Sequence, residues 1–131
     1  MTGKVVHFEV PYDDGDRARG FYSDVFGWEV MTIPEMDYTL VTTGPTDEHT
    51  GATEPGFING GMFGRSDQFP SKGPNLLIEV ESVDEALRRA TEAGGTVVVE
   101  RTAVADMGFS GYFADTEGNV IGLWENASQE G

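Results

Sequence analysis

The opening run "MTGKVVHFEV" sets apolar residues around two polar ones, His7 and Glu9, and predicts a strand over Val5–Val10. In "DDGDRARGFYSDVFG" the residues Ala18, Phe21, Tyr22 and Val25 recur at helical spacing. Asp13 or Asp14 stands where an N-cap belongs, and Gly27 where a helix stops. Trp28–Ile33 and Tyr38–Thr43 are rich in β-branched and aromatic residues and read as strands joined by the turn "PEM". Pro45–Phe57 is a polar loop, and Ile58–Phe63 is a further strand.

The pattern then starts again. Leu76–Val80 reads as a strand. "SVDEALRRATEAGG" reads as an amphipathic helix, with Ser82 as N-cap, Glu85 completing a capping box and glycine as the stop. Thr96–Arg101, Gly111–Ala114 and Val120–Glu125 complete three more strands. An offset of 68 residues lays Asp16 on Asp84, Ala18 on Ala86 and Gly27 on Gly95. "GGMF" at 60–63 parallels "IGLW" at 121–124, so Gly61 matches Gly122. The chain thus reads as two β-α-β-β-β modules, 4–63 and 74–125, joined by the connector 64–73 within one domain over 1–131.

Composition narrows the classes. The 131 residues contain no cysteine, which excludes disulfides, cysteine–zinc sites and thiol nucleophiles. No apolar run reaches the roughly 18 residues of a membrane helix. The first ten residues hold no signal-peptide core, so a cytoplasmic location is expected. Asn126-Ala127-Ser128 fits the glycosylation pattern without a secretory context. Twenty-three acidic residues against eight basic ones give a net charge of −15, a surface that repels nucleic acid. Lys4 and Lys72 are the only lysines, and so acidic a composition suits a halophilic setting. Phosphate-binding glycine motifs and a serine-nucleophile elbow are absent, although "GFSGY" at 108–112 faintly suggests the latter.

The doubled module resembles the vicinal oxygen chelate superfamily, which includes glyoxalase I, extradiol dioxygenases and the bleomycin- and fosfomycin-resistance proteins. "HFEVPYDDGDRARGFYSDVFGWEV" resembles its first strand and helix, "VESVDEALRRATEAGGTVV" its second helix, and "ADTEGNVIGLWE" its last hairpin. The resemblance implies an α+β fold in which the two tandem modules form a curved mixed-sheet cup. It also implies a homodimer, which would cover exposed sheet edges.

Metal-binding relatives hold a divalent ion with His or Gln on the first strand, Glu on the fourth, His on the fifth and Glu on the eighth. Carried onto this sequence, those positions fall on His7, Gly61, Asn75 (or Leu77, with a shifted repeat) and Gly122. Only His7 keeps a ligand of the family set, and no residue is assigned to a metal. A divalent metal is therefore not favoured, and no other cofactor is expected. Glu125 lies three residues beyond Gly122, and its side chain is expected on the opposite face as a rim or structural charge.

The expected ligand pocket comprises His7, Gly61, Phe63, Asn75, Leu77, Tyr112, Gly122 and Trp124, with Tyr38 and Phe113 as further apolar wall, set against such strand aromatics being plain core. His7, Glu9 and Glu79 are the candidates for acid–base catalysis, set against a purely structural polar cluster. The expected function is binding of a small apolar or aromatic molecule in the cup, with the family metal site largely lost. The alternative is a metal-dependent lyase or dioxygenase anchored on His7, and whether the chain is an enzyme is left open. Neither nucleic acid nor membrane is expected as a partner.

The charge generates a direct test. Screening shortens the reach of the self-repulsion from about 30 Å at about 0.01 M salt to about 3 Å at about 1 M. Thermal melts are expected to move upward between those potassium chloride concentrations, and a flat or falling midpoint would remove the high-salt reading.

Overall fold

The computed structural model describes residues 3–67, 69 and 72–127. Gln68, Pro70 and Ser71 of the expected connector, and Ser128 of the glycosylation pattern, lie outside these residues. The fold is α+β, and its main elements follow the doubled β-α-β-β-β order. The chain divides into two compact units, His7–Pro74 and Asn75–Gly131, the latter together with Met1–Val6. Among the described residues no helix is long and apolar enough to cross a membrane.

The first unit takes strand β1 (Lys4–Tyr12) from His7 onward, helix α1 (Gly15–Phe26), strands β2 (Glu29–Ile33) and β3 (Tyr38–Thr42), a short hairpin of β4 (Thr46–Asp47) and β5 (Gly51–Ala52), and β6 (Gly60–Gly64). Its sheet runs in the order β2-β3-β6-β1, parallel between β6 and β1 and antiparallel elsewhere. Asp14 is the N-cap of α1, accepting from the Arg17 backbone N–H at 3.0 Å. Gly27 ends the helix at φ 70°, a left-handed conformation that glycine adopts at little cost. Trp28, expected inside a strand, precedes β2 and stacks on Tyr22 of the helix at 4.9 Å. Phe8 meets the same tryptophan at 5.6 Å. The Phe8 side of the sheet therefore faces α1. His7 and Glu9 alternate with Phe8 and stand on the other side.

The second unit contains β7 (Asn75–Glu79), α2 (Val83–Glu92), β8 (Thr96–Val104), β9 (Gly108–Ala114) and β10 (Val120–Asn126). Its order is β7-β10-β9-β8, parallel only between β7 and β10. The Ser82 hydroxyl accepts from the Glu85 N–H at 3.1 Å, as an N-cap does. The Glu85 carboxylate pairs with Arg88, one turn along the helix. A basic partner on the same helix face draws it away from the reciprocal capping bond. The left-handed glycine after α2 is Gly94, at φ 108°, one residue before the Gly95 that aligns with Gly27.

Val83 and Leu87 of α2 bury themselves against Leu123, with Val97, Phe109 and Phe113 packed around them. Phe113 thus belongs to the helix side of the sheet, which corrects its expected place in the pocket wall. Strand alternation allows only one of Tyr112 and Phe113 on each face.

Glu125 follows Leu123 onto that helix side. Its Oε1 accepts from the Val83 N–H at 2.9 Å, at the first turn of α2. Arg101 donates to both carboxylate oxygens, from Nε at 3.2 Å and from Nη2 at 2.9 Å. The Arg101 guanidinium lies 3.5 Å from the centre of the Phe109 ring. Glu125 is therefore a structural group that caps a helix from a neighbouring strand. The Arg101 bond holds its carboxyl below the ordinary value of 4.5. A depressed carboxyl stabilises the fold above its ordinary range and loses that effect as pH falls through the folded value. Glu125→Ala should lower the melting temperature by about 3–5 °C at neutral pH. The gap from the parent should close as pH drops below 4.5. A variant that melts with the parent at pH 7 would refute the capping role.

Candidate functional site

The expected site residues lie on the faces turned away from the helices, and each unit carries its own group. In the first unit the register sets Glu9 opposite Gly61 and Pro11 opposite Phe63. It sets Tyr38 opposite Phe63 and Leu40 opposite Gly61. His7, Glu9, Tyr38, Gly61 and Phe63 therefore share one face. Phe63 also meets Phe69 edge-to-face at 4.7 Å.

Tyr38 organises this face. From β3 its ring slants across to Gly61, the diagonal neighbour on β6. A Cβ placed on Gly61 would stand 1.9 Å from the Tyr38 hydroxyl oxygen and 2.1 Å from Cζ. Glycine is what lets the phenol lie there. The hydroxyl donates to Glu9 Oε2 at 2.8 Å, and its oxygen lies 3.0 Å from His7 Nε2. With the phenol proton committed to Glu9, the imidazole completes the chain by donating from Nε2, which assigns the Nε2–H tautomer. Glu9 is 4% exposed, so its carboxylate is a buried group whose oxygen this phenol serves. Burial lowers the pKa of His7 from 6.5 to about 4. The ring is thus neutral at physiological pH.

His7 and Glu9, expected to share a face, are in fact linked through Tyr38. The sequence offered Tyr38 only as apolar wall, because an aromatic on an alternating strand does not reveal where its polar tip reaches. Glu79, the third acid–base candidate, belongs to the second unit. There its Oε2 accepts from Asn126 Nδ2 at 2.9 Å, and Asn126 Oδ1 accepts from Trp124 Nε1 at 2.9 Å. Glu79 and Trp124 are thus tied into a second polar chain, which had no signal in the residue pattern because it runs through the terminal residue of β10.

In that second unit Gly122 pairs with Leu77 on one side and with Tyr112 on the other. A Cβ on Gly122 would lie 2.7 Å from Leu77 Cγ and 2.9 Å from Tyr112 Cε2. The ladder from Val120 to Asn126 runs without interruption, so Gly122 marks a close approach of side chains and no bulge. Asn75, buried at 1% exposure, stands on the same face of β7 as Leu77 and Glu79. The irregularities of this sheet lie in β8, between Val97 and Val99 and between Val99 and Thr102.

The geometry can be set beside known proteins. A family model described as bleomycin resistance protein-like N-terminal matches residues 4–44. A glyoxylase-like domain-containing protein of Didymella fabae is 28% identical over 127 residues, covering 92% of this chain and 91% of that protein. A glyoxalase/bleomycin resistance protein/dioxygenase superfamily member from Vibrio splendidus superposes with a TM-score of 0.59 at 16% identity, over 95% of this chain and 100% of its own. A variant of Streptomyces coelicolor methylmalonyl-CoA epimerase, in complex with 2-nitronate-propionyl-CoA, gives 0.63 at 14% identity over 100% and 99% of the two chains. Family model, relative and fold agree in kind: the chain is similar to glyoxalase-like and bleomycin-resistance-like domains and shares their fold.

Proposed function

We propose that this chain is a small-molecule-binding domain of the glyoxalase and bleomycin-resistance kind, and that it handles an apolar or aromatic ligand without a divalent metal. The observation that carries the reading is the Tyr38 hydroxyl lying 1.9 Å from the Cβ position of Gly61. In metal-binding relatives a carboxylate ligand is expected to emerge at that position. Here glycine supplies no donor, and a neutral phenol fills the space.

The rest of the donor set fits a dication no better. His7 Nε2 is engaged with Tyr38. At Gly122 the corresponding space is taken by Leu77 and Tyr112, which are a hydrocarbon side chain and a ring edge. Asn75 offers an amide and no charge. A catalytic metal ordinarily takes about three protein ligands, with imidazole and carboxylate preferred. Aromatic rings and a few polar groups are the usual lining for an apolar ligand, and in the first unit Tyr38 and Phe63 supply the rings beside His7 and Glu9. The epimerase structure in complex with 2-nitronate-propionyl-CoA has the same fold and supports a small organic ligand for this chain.

Calorimetric titration with zinc, nickel, manganese and iron(II), together with elemental analysis of the purified protein, tests the metal half of the reading. The expected outcome is no stoichiometric binding and no change in metal content on His7→Ala. One metal per chain, lost on His7→Ala, would overturn the reading and restore a metal-dependent lyase or dioxygenase anchored on His7. Thermal shift against a panel of small aromatic and apolar molecules tests the other half, and uniformly flat melts would count against a ligand site.

A further inference from the structure

We propose that His7, Tyr38 and Glu9 form a metal-free proton relay in which the Nδ1 lone pair of His7 is a general base toward an apolar substrate bearing an activated C–H bond. The inference rests on the reading of this face as a small-molecule site. Its residues all belong to the first unit.

The chain of hydrogen bonds has a direction. Tyr38 donates to Glu9 at 2.8 Å, and His7 Nε2 lies 3.0 Å from the phenol oxygen. Among the described residues nothing donates to His7 Nδ1, so this nitrogen carries the lone pair at the head of the chain. Glu9, at 4% exposure, is the buried acceptor of the Tyr38 proton. A purely structural pair would need only Glu9 and Tyr38. The imidazole at the head of the chain adds a group that accepts a proton on one nitrogen while releasing one from the other. Gly61 makes the arrangement possible, because any side chain there would displace the phenol.

The step balances without a metal or redox partner. The substrate C–H bond breaks and leaves its electron pair on the substrate. The proton goes to Nδ1, the Nε2 proton passes to the Tyr38 oxygen, and the Tyr38 proton passes to Glu9 Oε2. Imidazole and phenol end neutral, with the imidazole in its other tautomer, and Glu9 ends protonated. Return of the proton along the same chain resets the site. His7 is the catalytic residue in this scheme, and Tyr38 and Glu9 are positioning residues that act through it.

A nitrobenzisoxazole is a suitable probe. It is aromatic, it needs only a base, and loss of its C–H proton breaks its N–O bond to release a coloured cyanophenolate. General-base assistance of this kind is worth about 100-fold or more. His7→Gln keeps an N–H donor for Tyr38 but has no lone-pair nitrogen, so turnover should fall by about 100-fold while the probe's thermal shift is retained. Glu9→Gln and Tyr38→Phe should lower kcat by about tenfold with KM little changed. A His7→Gln variant that binds the probe and turns it over as fast as the parent would overturn the relay and leave the binding reading intact.

Failure of the probe to saturate or to shift the melt would count against the binding reading. The relay is then read by carbethoxylation with diethyl pyrocarbonate, which needs a lone pair on an imidazole nitrogen. Peptide mapping should find His7 modified alongside the exposed His49. The His7 rate should fall about tenfold in Glu9→Gln while His49 is unaffected. An unmodified His7, or a rate indifferent to Glu9, would overturn the relay on its own.

Discussion

The contact between the Tyr38 phenol and the bare backbone of Gly61 is the constraint on which the first unit's open face depends. Side chains on neighbouring strands ordinarily stand about 5 Å apart, each over its own Cα. Here the phenol takes the volume that a neighbour's Cβ would fill, with 1.9 Å between them. That placement brings one hydroxyl within reach of both His7 and Glu9. A buried carboxylate without a donor costs several kcal/mol, on the order of the stability of a whole small domain. The Tyr38 bond to Glu9 offsets part of that cost, and a hydrogen bond to a charged group contributes about 1.5–3 kcal/mol.

The second unit uses the same glycine device to a different end. Gly122 lies between Leu77 and Tyr112, and their side chains converge on the space it leaves. What fills that space is hydrocarbon, and the polar groups of the face stand further along, in the Trp124–Asn126–Glu79 chain. Two equivalent glycines thus do different work. One seats a polar tip between titratable groups, and the other closes an apolar layer. On the helix side of the same sheet, Glu125 and Arg101 fasten the start of α2 to β10 and β8. The carboxylate of the last strand therefore serves the scaffold.

Much of this was legible in the sequence. Hydrophobic period and glycine stops located the helices within a few residues, and the repeat itself pointed to Gly61 and Gly122 as equivalent. His7 and Glu9 could be put on one face by strand alternation alone. The Tyr38 bridge could not be read, because it depends on the register between β3 and β6. That register is set across residues 43–59, where Asn59 accepts from the Thr43 N–H through Oδ1 and donates from Nδ2 to Thr46. No local propensity fixes those bonds. The partners of Glu125 were hidden for a similar reason, since Arg101 and Val83 lie 24 and 42 residues away in the chain. Phe113 was misplaced although the signal existed, for adjacent strand residues point to opposite faces.

The central claim is that Gly61 is glycine because Tyr38 needs its space. A double-mutant cycle on unfolding free energy measures this directly. Gly61→Ala should cost about 1–3 kcal/mol in the parent, the ordinary penalty for overpacking. In a Tyr38→Ala background the new methyl group should meet open space and cost little, giving a coupling of about 1 kcal/mol or more. Equal costs of Gly61→Ala in the two backgrounds would contradict the account, since the glycine would then be answering to something other than the phenol.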